Sequence, residues 1–153
     1  MNYETKKMLR KEWIKHLKKQ NTKYVITTTF RKDITNKDAD IIAKTLLKML
    51  RKEYFKRNKN RKFFEGYAVI EHQKNGRPHY HLLFADNEIF NRTDKNFELV
   101  IRRKCGSLGV IDPNLGVDFR DYYDGSLEGY LTKSIEWEQD DFDFIRPMTY
   151  DGF

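Results

Sequence analysis

The chain has one cysteine, Cys105, so no internal disulfide can form, and the lone thiol suits a reducing compartment and a place in the core. No apolar run approaches the ~20 residues needed to span a bilayer. The N-terminal segment, with Lys6, Lys7, Arg10 and Lys11, lacks the apolar stretch of a secretory signal. An intracellular location is the resulting expectation, in a prokaryotic cytoplasm or, for a viral protein, in a eukaryotic nucleus. No Gly-x-x-x-x-Gly-Lys loop occurs, which argues against an ATPase or helicase engine. Internal repeats and low-complexity segments are also missing.

What is present is charge and a modest core. Charged residues make up 35% of the 153 and hydrophobic residues 39%, enough for one compact domain, 1–153. The net charge of +7 hides an asymmetry: residues 1–63 carry 20 Lys and Arg against 6 Asp and Glu, whereas residues 64–153 carry 10 against 17. A basic half of this kind suits a polyanionic partner, with nucleic acid foremost.

Hydrophobic periodicity orders the elements. Residues 3–20 read as a basic helix with Leu9, Trp13 and Leu17 on one face. The β-branched run Tyr24 to Phe30 reads as a strand. Thr35 with Asp38 opens a capped helix that runs to about Tyr54. Two strands, "FFEGYAVIEH" and "PHYHLLF", flank Asn75-Gly76, a hairpin signal. A helix over 93–104, a short strand over 116–120 and a helix over 126–135 follow. Residues 138–153, acidic and weakly patterned, are expected to be a poorly ordered tail. Hairpin-linked strands with intervening helices imply an α+β fold, a central antiparallel sheet flanked by helices.

Three of the four histidines fall within residues 72–81. On a strand His79 and His81 share one face and Tyr80 takes the other, so two imidazoles can converge on a metal ion. The third ligand depends on the turn. A two-residue Asn75-Gly76 turn puts His72 opposite His79, whereas a three-residue loop puts Glu71 there. A carboxylate suits Mg²⁺ or Mn²⁺, and an all-imidazole site a softer metal. Tyr130 and Lys133, at i and i+3, share a helix face. A phenol with an ordinary pKa of about 10 needs a cation or metal beside it to act as a nucleophile.

Together "VITTTF" (25–30), "IEHQKNGRPHYHLLF" (70–84) and "GYLTK" (129–133) resemble the HUH superfamily, specifically the rolling-circle replication initiator (Rep) proteins of small circular DNA viruses, phages and plasmids. Geminivirus-like initiators place a Glu eight residues before the first His, as Glu71 stands before His79, so the resemblance favours Glu71 over His72 as third ligand. They often follow the Lys with Asp-Gly, where this chain has Ser134-Ile135. The resemblance implies a single-tyrosine nickase. Tyr130 attacks a phosphate of single-stranded origin DNA, typically presented on a hairpin, leaving a 5′-phosphotyrosine and a free 3′-OH. It further implies a divalent metal (Mg²⁺ or Mn²⁺) on Glu71, His79 and His81, help from Lys133, and host or replicon replication proteins as partners. Arg31, Lys32 and Arg77 are candidates for the DNA backbone.

Three rival readings stand beside this one. A transposase or relaxase of the same superfamily shares the chemistry. A non-catalytic nucleic-acid module would expose aromatics such as Tyr67 and Phe84 for base stacking. A two-histidine phosphoesterase needs a second histidine motif, which the surroundings of His16 do not supply.

Overall fold

The computed structural model describes residues 2–31, 33–56, 60–71, 78–92, 94–122 and 144–153. In chain order these form α1 (Tyr3–Lys18), β1 (Thr22–Thr29), α2 (Asn36–Tyr54), β2 (Gly66–Glu71), β3 (His79–Ala85), α3 (Ile89–Arg92), α4 (Phe97–Leu108), β4 (Val117–Asp121) and β5 (Ile145–Pro147). The strands make one five-stranded sheet in the order β4-β1-β3-β2-β5, with every neighbouring pair antiparallel. The fold is α+β, as the hairpin pattern implies.

Side-chain alternation gives the sheet two unlike faces. Ile26, Thr28, Ala68, Ile70, Tyr80, Leu82 and Phe84 point to one face and are all buried. α2 and α4 cover it: the Tyr80 hydroxyl donates to Asp40 Oδ1 at 2.6 Å, and Phe84 meets Phe97 edge-on at 5.2 Å. The face is sealed at one end by an aromatic cluster of Tyr24, Phe64, Phe90, Phe97 and Phe119. The opposite face carries Val25, Thr27 and Thr29 on β1, His79, His81 and Leu83 on β3, and Tyr67, Val69 and Glu71 on β2. α1 lies over its far end, where Trp13 packs edge-on against Tyr67 and His16 Nε2 sits 2.7 Å from the Tyr67 hydroxyl.

The helix starts follow cap chemistry. Asn2, Thr35 and Asn96 each accept a backbone N–H three residues on, from Thr5, Asp38 and Leu99. The Asn96 cap explains why α4 begins at Phe97 rather than at residue 93: a side-chain oxygen that satisfies an orphan N–H sets the boundary more firmly than apolar periodicity does.

The tail expectation fails for residues 144–153. They form β5 and a closing turn, with Phe144, Ile145 and Met148 buried. Tyr150 lies between two guanidinium groups, Arg51 at 3.8 Å and Arg61 at 4.1 Å from its ring centre, and Phe153 packs on Tyr80. Few apolar residues are involved, so periodicity carries no signal there; the anchoring comes from strand pairing and cation–π contact. The expected helix over 126–135 lies outside the described residues.

Candidate metal and nucleic-acid site

The site is built on the open end of the α1-covered face, where three strands bring polar residues level. Glu71 pairs with His79 across β2 and β3, and Thr29 pairs with His79 on the other side. One pleat further in, Thr27 stands opposite His81. The hairpin register is therefore the one that puts Glu71, rather than His72, across from His79.

Hydrogen bonds fix the two rings. His79 Nδ1 lies 2.9 Å from Thr29 Oγ1, and His81 Nδ1 lies 3.0 Å from Thr27 Oγ1. On its far side His81 Nε2 meets Glu71 Oε2 at 3.0 Å. His81 is only 3% exposed, whereas His79 is half-buried. A polar partner on the remote nitrogen is the usual means of setting which imidazole nitrogen faces an ion and how the ring is turned.

Whether this donor set fits a divalent cation can be tested on the distances. Ligand bonds of about 2.1 Å at right angles separate neighbouring donor atoms by about 3.0 Å. The His81–Glu71 separation of 3.0 Å matches that spacing. His79, on the same face and level with Glu71, supplies the third donor type. Among the described residues, however, no three His, Cys, Asp or Glu side chains close around one point, so holding an ion requires His79 to swing toward the other two. The chemistry and register fit Mg²⁺ or Mn²⁺.

The structure thus brings Glu71, His79 and His81 together. Arg31 lies just past β1, exposed, with its backbone N–H bonded to Val110 O at 3.1 Å. Tyr130, Lys133, His72, Lys32 and Arg77 lie outside the described residues. Tyr122, another phenol near β4, packs against the core, its N–H bonded to Lys23 O. Thr27 and Thr29 are the residues that sequence reading misses. Their signal is the alternation in Thr27-Thr28-Thr29, which matches the spacing of His-x-His but reveals its meaning only once β1 is known to pair with β3.

Two of the rival readings lose ground here. Phe84 is fully buried beneath α2 and α4, and Tyr67 is covered by α1, so neither offers a base-stacking surface. His16 is engaged by Tyr67 and Trp13 at the other end of the face.

Fold and cluster together define a class: a small antiparallel α+β domain with two imidazoles and a carboxylate on one sheet face, and a basic N-terminal half. Residues 23–136 match the sequence-family model for replication-associated proteins of the ORF2 type, and the chain belongs to that family. The matched stretch includes Glu71, His79, His81, Tyr130 and Lys133. Membership assigns the protein a role in DNA replication, as a Rep-type protein, with DNA as its partner. No curated protein and no solved structure gives a significant match. Among the described residues no helix is long and apolar enough to cross a membrane.

Proposed function

We propose that the protein is a single-tyrosine HUH endonuclease that nicks and rejoins single-stranded origin DNA to start rolling-circle replication. The observation that carries the reading is the Glu71–His79–His81 cluster on one sheet face, its rings oriented by Thr27 and Thr29, in a chain of the replication-associated family. A divalent cation, Mg²⁺ or Mn²⁺, when held by these three residues, supplies Lewis-acid polarisation of the scissile phosphate.

The chain's own residues do the rest. The Tyr130 hydroxyl oxygen attacks phosphorus in line, forming a P–O bond as the bond to the 3′ oxygen breaks. The phenolic proton leaves to solvent, and the departing 3′ oxygen takes one up as a free 3′-OH. The product is a 5′-phosphotyrosine, and attack by that 3′-OH reverses the step and reseals the strand. Lys133, three residues on in the chain, offsets negative charge on the phosphate or the phenolate. Arg31, Lys32 and Arg77 track the backbone, and binding weakens with salt. The host or replicon replication machinery uses the 3′-OH as primer.

Incubation with a single-stranded origin oligonucleotide and Mn²⁺ tests this. A denaturation-resistant protein–DNA adduct is expected, lost in Tyr130→Phe and on chelation. Adduct of equal yield from Tyr130→Phe refutes the nucleophile. Tight binding to a verified cognate site with no adduct favours a non-catalytic binding module.

A further inference from the structure

A second concavity shares a residue with the histidine cluster. It encloses about 250 Å³ and is lined by Thr29, Phe30, Arg31, Asp112, Leu115 and Gly116. Thr29 is the residue whose hydroxyl meets His79 Nδ1, so cavity and cluster are continuous through one side chain.

The outer wall is the loop Asp112–Gly116, and it is tied down from every side. Asp112 Oδ1 accepts the N–H groups of Asn114 and Leu115, both at 2.8 Å. The Gly116 N–H returns to Asp112 O at 2.9 Å, and Thr29 N–H donates to Gly116 O at 2.8 Å. From α4, Arg102 Nη1 donates to the carbonyls of Pro113, Asn114 and Val117 at 3.0, 3.3 and 3.0 Å. Any side chain at Gly116 would put its Cβ 2.8 Å from Asp112 O and 3.0 Å from Thr29 O. What this rigid loop presents is Leu115, 92% exposed, the most exposed of the large apolar side chains among the described residues. A mobile loop can hide a leucine; this one holds it out, preorganised beside a cationic Arg31.

An apolar wall and a cation in one small cavity match the two unlike parts of a nucleotide, the face of its base and its phosphate. We propose that this cavity is the subsite for the nucleotide next to the scissile phosphate, with Leu115 against the base and Arg31 on the phosphate. The inference rests on the reading that single-stranded DNA binds at the histidine cluster. It adds a determinant of strand placement that lies apart from the metal and the nucleophile.

Anisotropy titration of the full chain with two labelled probes of equal length separates base from phosphate. One probe is a twenty-nucleotide oligothymidylate, the other its fully abasic tetrahydrofuran analogue, both at low salt. Leu115→Ala should weaken the thymidylate on the order of fivefold while leaving the abasic probe unchanged. Arg31→Ala should weaken both, and lower the slope of log affinity against log salt by about 1. An equal loss on both probes, or none, for Leu115→Ala overturns the subsite while the strand-binding reading survives. So does a wild-type dimer, seen by sedimentation, that Leu115→Ala dissociates without changing DNA affinity. If the wild-type chain binds neither probe, the strand-binding reading fails and the subsite fails with it. With the side chain so exposed, the fold of Leu115→Ala is expected to be intact by circular dichroism.

Discussion

Three consecutive threonines on β1 should respond differently to the same change. Replacing Thr by Val swaps a hydroxyl for a methyl of similar shape and keeps the β-branched side chain that strands favour. At Thr27 the swap removes the 3.0 Å bond to Nδ1 of His81, a ring that is 3% exposed. Taking a partner from a buried polar group costs about 1–3 kcal/mol. For a domain of this size, 1 kcal/mol corresponds to about 2–4 °C in Tm, so a mid-range loss gives about 4–8 °C. At Thr29 the ring is that of half-buried His79, where water can replace the hydroxyl, and the expected loss is below about 1 kcal/mol. At Thr28 the hydroxyl reaches only the Tyr80 carbonyl, at 3.4 Å, in an apolar layer, so Thr28→Val should lie within about 0.5 kcal/mol of neutral. Thermal and urea unfolding of the three variants measures all of this. Metal titration adds an independent reading, because loss of a ring-orienting partner typically weakens metal affinity by about 10–100-fold, and both Thr27→Val and Thr29→Val should show it. A Thr28→Val loss larger than that of Thr27→Val would refute the assignment of the threonines to the histidines.

Further outcomes follow from groups elsewhere in the fold. Burial pushes the Cys105 thiol up to about 12, against a weaker opposing pull from Arg102, so a thiol reagent at pH 8 should leave the native chain unmodified and react only on unfolding. Glu53 links α2 to α4 and its approach through Lys95, Arg103 and Lys104; the hydrogen bond from Lys95, aided by the three charges and opposed by partial burial, holds its carboxyl below the ordinary value. A depressed folded pKa stabilises above the unfolded value near about 4.3 and loses that contribution as pH falls through the folded one. Glu53→Gln should therefore lower Tm at pH 7 and lose less than the wild type on acidification below about pH 4. Gly116→Ala should open the Asp112–Gly116 loop, because its Cβ would meet the backbone of Asp112 and Thr29, and hydrogen exchange at Asn114, Leu115 and Gly116 should accelerate.

The parts of the fold that are legible in the sequence are those governed by local rules. The Thr35 cap, the 3.6-residue stripe of α2 and the alternation of β1 and β3 all depend on neighbours in the chain. His79 and His81 can be put on one face from the pleat alone. What local rules do not carry is pairing: that β1 rather than β4 lies beside β3, so that Thr27 and Thr29 meet the imidazoles, is a long-range outcome of sheet order. The turn offers two registers, and the pairing of Glu71 with His79 is the one realised. Residues 144–153 escape a sequence reading for a related reason. Ile145 and Arg146 look ordinary in sequence, yet they close the edge beside β2, and Arg146 reaches Asp40 at 3.2 Å. The loop that presents Leu115 is invisible in sequence because its rigidity comes from Arg102, back on α4.

The most direct test of the account is pulsed electron paramagnetic resonance of Mn²⁺ added to the wild-type chain. Coupling to the nitrogens of two imidazoles is expected, reduced to one in either His79→Ala or His81→Ala, with weakened binding in Glu71→Ala. Bound Mn²⁺ showing no nitrogen coupling, or coupling that survives both histidine substitutions, would contradict it.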